Sequence, residues 1–187
     1  MKKFITAALA AALTLSLAIA ISGCSNSEPK KAASSTASSE EATLVSKSVS
    51  GITLNIPSNF KDFADVGDGS GVMMAKDGLG NNIVVQPRRD GKGAKPSDMT
   101  KDLYAKSIAE DEPGATIIDF KNNATVGGVP AVTGHESFDM SGKKIESWSV
   151  EMYYADETIQ NITITTKADG NPLYKNADAI VKSIAVK

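Results

Sequence analysis

Trp148-Ser149-Val150-Glu151-Met152-Tyr153-Tyr154-Ala155-Asp156-Glu157-Thr158-Ile159-Gln160-Asn161-Ile162-Thr163-Ile164 decides the fold. Trp148, Val150, Met152 and Tyr154 recur at every second position, and Ile162 and Ile164 alternate with threonine, which is the period of strands with one buried face. Ala155-Asp156-Glu157 joins the two runs, and so short a link requires antiparallel neighbours. Ser141-Gly142 and Gly127-Gly128 mark two further reversals upstream. The result is a meander of four strands at about 115–125, 129–140, 144–154 and 158–166.

On the N-terminal side of the meander, Pro96-Ser97-Asp98 offers a cap and an acidic first turn for a helix over 98–110. Its apolar face is Met99, Leu103 and Ile108 with Tyr104 and Ala105. Glu110-Asp111-Glu112 places three acids near the negative pole of that helix, and Pro113-Gly114 ends it. Further upstream, Val72-Met73-Met74-Ala75 and Ile83-Val84-Val85 read as a buried hairpin across a turn-rich link. Ile52, Leu54 and Ile56 alternate up to Pro57, pairing with a first strand at about 43–49 through Ser50-Gly51. Downstream, Leu173, Ala177, Ile180, Val181 and Ile184 follow Gly170-Asn171-Pro172 at helical spacing, the pattern of an amphipathic terminal helix.

The N-terminal segment carries a different message. Lys2-Lys3 precedes an apolar run from Phe4 to Ile21, and Ile21-Ser22-Gly23-Cys24 has the form of a bacterial lipobox before the only cysteine. The expectation is a signal peptide at 1–23, cleaved to leave Cys24 carrying a diacylglyceryl group and acyl chains such as palmitate. Two chains hold a protein stably on a bilayer where one does not. Residues 25–42 are rich in Ser, Ala, Lys and Glu without a large apolar side chain, so 24–42 reads as the lipidated cysteine and a flexible tether. Its root-mean-square span is roughly 23–25 Å. The globular part is then a single domain at 43–187, of a size that folds without staples.

Charge and cysteine count exclude several classes. The whole chain has 20 basic and 22 acidic residues, and loss of Lys2 and Lys3 takes the balance to about −4. No basic stripe is available for phosphates, so nucleic acid is not an expected partner. With Cys24 acylated there is no free thiol for catalysis, for a disulfide or for a cysteine zinc site.

The motifs Ile56-Pro57-Ser58-Asn59-Phe60, Gly128-Val129-Pro130-Ala131 and the closing Ile180-Val181-Lys182-Ser183-Ile184 resemble those of the PsbP/Mog-type superfamily, which includes DcrB-like and LpqN-like bacterial lipoproteins. The resemblance spans about residues 43–187. It implies an α+β fold, an α/β/α sandwich in which helices cover a mostly antiparallel sheet. It also implies roles as assembly factors, photosystem subunits or nuclear-transport cofactors, and the matched residues mark the fold rather than a reaction.

Candidate chemistry is sparse. His135 is the only histidine, and the alternation of its strand places it opposite Val132, Phe138 and Met140, with Ala131, Thr133, Ser137 and Asp139. Ser70 in Gly67-Asp68-Gly69-Ser70-Gly71 lacks the spacing and the following helix of a hydrolase nucleophile. Asp65, Asp68, Asp77, Asn81 and Asn82 fit no calcium-loop register, so no metal and no cofactor is expected. Arg88, Arg89, Lys92 and Lys95 concentrate positive charge in one glycine-containing loop, a candidate contact for anionic headgroups or an acidic partner. Tyr104, Trp148 and Tyr154 are candidate pocket liners.

The expectation from these features is a non-enzymatic interaction or assembly module, lipid-anchored on the outer side of the cell membrane beside a membrane-proximal protein. The other reading is a lipoprotein that binds a small molecule or lipid. Asn26, not aspartate, stands two residues after Cys24, which leaves an outer membrane open as the destination where the host has one.

Overall fold

Ser50-Gly51, Gly127-Gly128 and Ser141-Gly142 each place both residues at positive φ, 47° and 81°, 58° and 80°, and 52° and 73°. This is the mirror-image turn whose twist matches that of the strands it joins. The computed structural model describes residues 43–187. The expected signal segment 1–23 and the lipidated cysteine with its tether at 24–42 lie outside the described residues.

The meander is close to expectation: β7 is Thr116–Val126, β8 Val129–Met140, β9 Lys143–Tyr153 and β10 Thr158–Lys167. Before it come β1 (Leu44–Val49), β2 (Ile52–Pro57), β3 (Ala64–Asp65), β4 (Met73–Lys76), β5 (Asn82–Val85), β6 (Arg89–Asp90) and helix α1 (Lys101–Asp111). Helix α2 (Pro172–Ser183) and β11 (Ala185–Val186) close the chain. The large sheet runs β3-β4-β5-β10-β9-β8-β7, with β6 also on β10, and a small sheet runs β1-β2-β11. All these ladders are antiparallel, and one isolated parallel bridge joins Gly127 to Ala185.

One face of the large sheet is aliphatic. Ile83 and Val85 of β5, Ile162 and Ile164 of β10, Trp148, Val150 and Met152 of β9 and Ala131 of β8 pack against Ile52, Leu54 and Ile56 of β2 and Leu173, Ala177 and Ile180 of α2. Helix α1 covers the other face through buried Tyr104 and Ile108. The architecture is the α/β/α sandwich, with β1-β2-β11 beside α2 in one outer layer.

The start of α1 differs from expectation. Pro96–Asp98 forms a separate short 3-10 turn, and the helix is capped by Thr100, whose hydroxyl accepts from Leu103 N at 3.2 Å. The physical reason is that Met99 is extended, at φ −85° and ψ 105°, to reach a satellite apolar cluster with Val132, Tyr153 and Ile159. Leu103, expected on the buried face, is 51% exposed. The two-residue strands β3, β6 and β11 are too short to carry a period and were not anticipated.

Candidate functional site

The face beneath α1 is polar although it is covered. Register pairs Glu136 with Ser147, Gly134 with Ser149 and Val132 with Glu151 between β8 and β9, and Ser149 with Thr163 and Glu151 with Asn161 between β9 and β10. Side chains alternate along each strand, so these residues share the face opposite Trp148 and Val150. Glu136, Ser147, Glu151 and Asn161 are all buried.

Tyr104 sets the centre of this layer. Its hydroxyl donates to Glu136 Oε2 at 2.5 Å and lies 2.7 Å from Ser149 Oγ, while its ring packs at 5.1 Å from that of Phe120. Burial raises the Tyr104 phenol well above its ordinary range, and the adjacent Glu136 charge adds to the effect. Burial also lifts the Glu136 carboxyl from 4.5 to about 7, against the hydrogen bonds from Tyr104 and Ser147, which favour the ionised form. Toward the other end of the layer, Glu151 accepts from the Tyr153 hydroxyl and faces Arg89 Nη2 at 3.5 Å.

A cavity of about 30 Å³ lies between this layer and α1, lined among others by Tyr104, Asp111, Glu136, Ser147, Glu151 and Asn161. Asn161 Oδ1 is buried without a hydrogen-bond partner, and the buried Ser147 hydroxyl has only the carboxylate of Glu136, its register partner, to bond to. The space admits one or two water-sized groups. Among the described residues, no group of three or more His, Cys, Asp or Glu side chains is placed to hold a metal ion.

The sequence-derived candidates do not converge on this cavity. Of the three pocket candidates, only Tyr104 lines it. Trp148 is on the opposite face, stacked on His135 at 4.0 Å and donating Nε1–H to Asp178 Oδ1 at 3.1 Å. Tyr154 donates to Gln160 Oε1 at 2.6 Å, and the Gln160 amide in turn donates to the carbonyls of Ser50 and Gln86, tying the first hairpin to the large sheet. His135 Nε2 lies 2.8 Å from Glu146 Oε2, also on the α2 side.

Of the basic loop, Arg88 lies 3.6 Å above the Tyr154 ring and 3.9 Å from Asp156, and Arg89 turns inward to Glu151. Lys92 and Lys95 are exposed. In the acidic loops, each aspartate turns back on its own backbone, Asp65 to Gly67 N at 2.6 Å, Asp68 to Ser70 N at 2.9 Å and Asp77 to Leu79 N at 2.7 Å. Cys24 and the lipobox residues Ile21, Ser22 and Gly23 lie outside the described residues.

Sequence reasoning missed Glu136, Ser147, Ser149, Glu151 and Asn161 as a group. In alternation with apolar residues they have the pattern of a solvent-facing side. Gly134 was the available signal: a glycine inside a long strand marks close approach by another group, and here that group is the Tyr104 phenol.

No family model and no curated protein matches this chain in sequence. Solved structures do match in shape. Cyanobacterial PsbP (CyanoP) from Synechocystis sp. PCC 6803 has a TM-score of 0.53 at 16% identity, covering 80% of this chain and 95% of that one. The Saccharomyces cerevisiae Ran-binding protein Mog1p has a TM-score of 0.51 at 12% identity, covering 77% of this chain and 96% of that one. The fold is therefore PsbP/Mog-like. At such identity the likeness extends to architecture alone.

Proposed function

We propose that this chain is a lipid-anchored extracytoplasmic protein that acts as a non-enzymatic interaction or assembly module at the membrane surface. The observation that carries this reading is Ile21-Ser22-Gly23-Cys24, placed after Lys2-Lys3 and a mostly apolar run from Phe4 to Ile21. No helix among the described residues is long and apolar enough to cross a membrane. Attachment in this reading is through the acylated Cys24. Residues 25–42 give the domain reach toward a membrane-proximal protein. The PsbP/Mog-like neighbours include a Ran-binding protein, Mog1p, which is consistent with use of this fold for protein recognition.

The reading as a binder of a lipid or drug-sized molecule would need a pocket of roughly 300–1,000 Å³. The cavity beneath α1 has about 30 Å³, which favours the interaction module.

The test is the intact mass of protein extracted from native membranes, for wild type and Cys24→Ala, with its companions in mild detergent. The expected wild-type species begins at Cys24 and carries diacylglyceryl, with a stoichiometric protein partner. A chain still beginning at Met1 in the wild type sinks the anchor. A retained small molecule in place of a protein companion moves the function to ligand binding.

A further inference from the structure

Among the described residues the large sheet has two open edges, β3 at one end and β7 at the other. β3 is two residues long, whereas β7 runs for eleven and pairs only with β8. An edge of that length presents a row of unpaired backbone groups and is a template for another strand. The register breaks between Ile117 and Asp119 and again between Lys121 and Ala124, which leaves Asp119-Phe120-Lys121 as the regular stretch between two bulges.

The charges of this stretch complement one another. Asp119 and Lys121 flank Phe120, both side chains are more than half exposed, and Lys121 Nζ lies 3.0 Å from Asp119 Oδ2. The Phe120 N–H donates to Asp119 Oδ1 at 2.9 Å. A donor reached by its own neighbour's side chain lies on the open side of the strand, so the Phe120 N–H and carbonyl face away from β8 in the alternation of an antiparallel ladder.

A two-fold axis through Phe120 then lets two β7 edges pair antiparallel. Phe120 exchanges two backbone hydrogen bonds with its counterpart, and Asp119 of each copy stands directly opposite Lys121 of the other, an arrangement that stabilises a strand pair. Ile118, 49% exposed, comes opposite Asn122 of the second copy. The Phe120 ring packs against Tyr104 of α1, so the two Phe120 rings meet on that side of the joined sheet. An axis moved to Ile118 or Asn122 loses both charge pairs, which selects this register. The Asp119 contact with the Phe120 N–H closes the edge to other strands: opening it loses a hydrogen bond, and only a strand that brings a lysine to Asp119 offsets the loss.

We propose that β7 is the surface on which a second copy of this chain docks, forming a two-fold dimer whose sheet is continuous across Phe120. Pairing uses up the long edge of both copies and leaves only β3 at the ends, so assembly stops at two. The inference is independent of the lipid anchor.

The test is native mass spectrometry of the full chain in mild detergent, for wild type, Asp119→Lys, Lys121→Asp and an equimolar mixture of the two variants. A wild-type dimer is expected. Each variant alone sets like charges opposite one another twice, lysines in one and aspartates in the other, and is expected to lose the dimer. The mixture is expected to regain it as a heterodimer with one copy of each, which also establishes that both variants are folded. A monomeric wild type, a dimer that persists in either variant alone, or a mixture without heterodimer overturns the proposal. So does a foreign protein, released by the same substitutions, in place of the second copy.

Discussion

The Tyr104 phenol occupies the space above Gly134 that a side chain would otherwise fill. A Cβ at position 134 would collide with Tyr104 Oη and Cζ and stand 2.8 Å from Ser149 Oγ. The absence of a side chain in the middle of β8 therefore fixes where α1 docks and how its tyrosine reaches Glu136.

Gly134→Ala should lose roughly 1–3 kcal/mol, the usual cost of overpacking, because the colliding atoms belong to a buried ring anchored by two hydrogen bonds. Combining it with Tyr104→Ala should give a loss smaller than the sum of the two single losses, since the second substitution removes the obstruction. Urea unfolding of the three variants measures this; strict additivity would show that the notch does not seat the tyrosine.

The raised Glu136 carboxyl makes stability pH-dependent in a defined direction. Below about 4.5 the group is protonated whether folded or unfolded; between 4.5 and about 7 the unfolded chain releases the proton while the folded chain retains it. Its contribution is thus fully present in acid and lost as pH rises to about 7, by on the order of 3 kcal/mol in total. Glu136→Gln should flatten that window and be more stable than wild type at pH 8. Chemical denaturation at several pH values tests it, and identical slopes for both proteins would contradict the assignment.

Asn171 caps α2 and ties it to the sheet. Its Oδ1 accepts from Leu173 N at 2.9 Å and Tyr174 N at 3.1 Å, while its Nδ2 donates to Thr166 Oγ1 at 2.8 Å and Lys167 O at 2.9 Å. Asn171→Ala should cost about 1–2 kcal/mol. Asn171→Asp should recover only part of this, because it keeps the cap and loses both donors. Thermal melts of the two variants give the comparison.

Trp148 is the only tryptophan, and its indole N–H is held by Asp178 of α2 while its ring stacks on His135. Asp178→Ala should shift and broaden its emission with a loss of about 1 kcal/mol. Tyr104→Phe, on the other side of the sheet, should leave the emission unchanged. A spectral change in the second variant would mean that the two faces are coupled.

The meander was legible because β8, β9 and β10 carry apolar residues at every second position and its strands are joined by links of two residues or, between β9 and β10, four. Helix α2 was legible because Leu173, Ala177 and Ile180 all face the core. Helix α1 was less so: it rests on hydroxyls and carboxyls, so its buried residues reduce to Tyr104 and Ile108 and no broad apolar stripe marks its bed. The polar layer was illegible for the same reason, since alternating Ser147, Ser149 and Glu151 read as exposed until a helix is known to lie over them. Tyr154 suggested a ligand pocket, whereas in the structure its hydroxyl is taken up by Gln160.

Strands β1 and β11 flank β2 on its two sides, so the described domain receives and releases the chain within one small sheet. Tension applied at Leu44 would be resisted by a six-pair ladder, and tension at Val186 by only two pairs. A load arriving along the N-terminal segment is thereby borne by the stronger seam and kept off the meander.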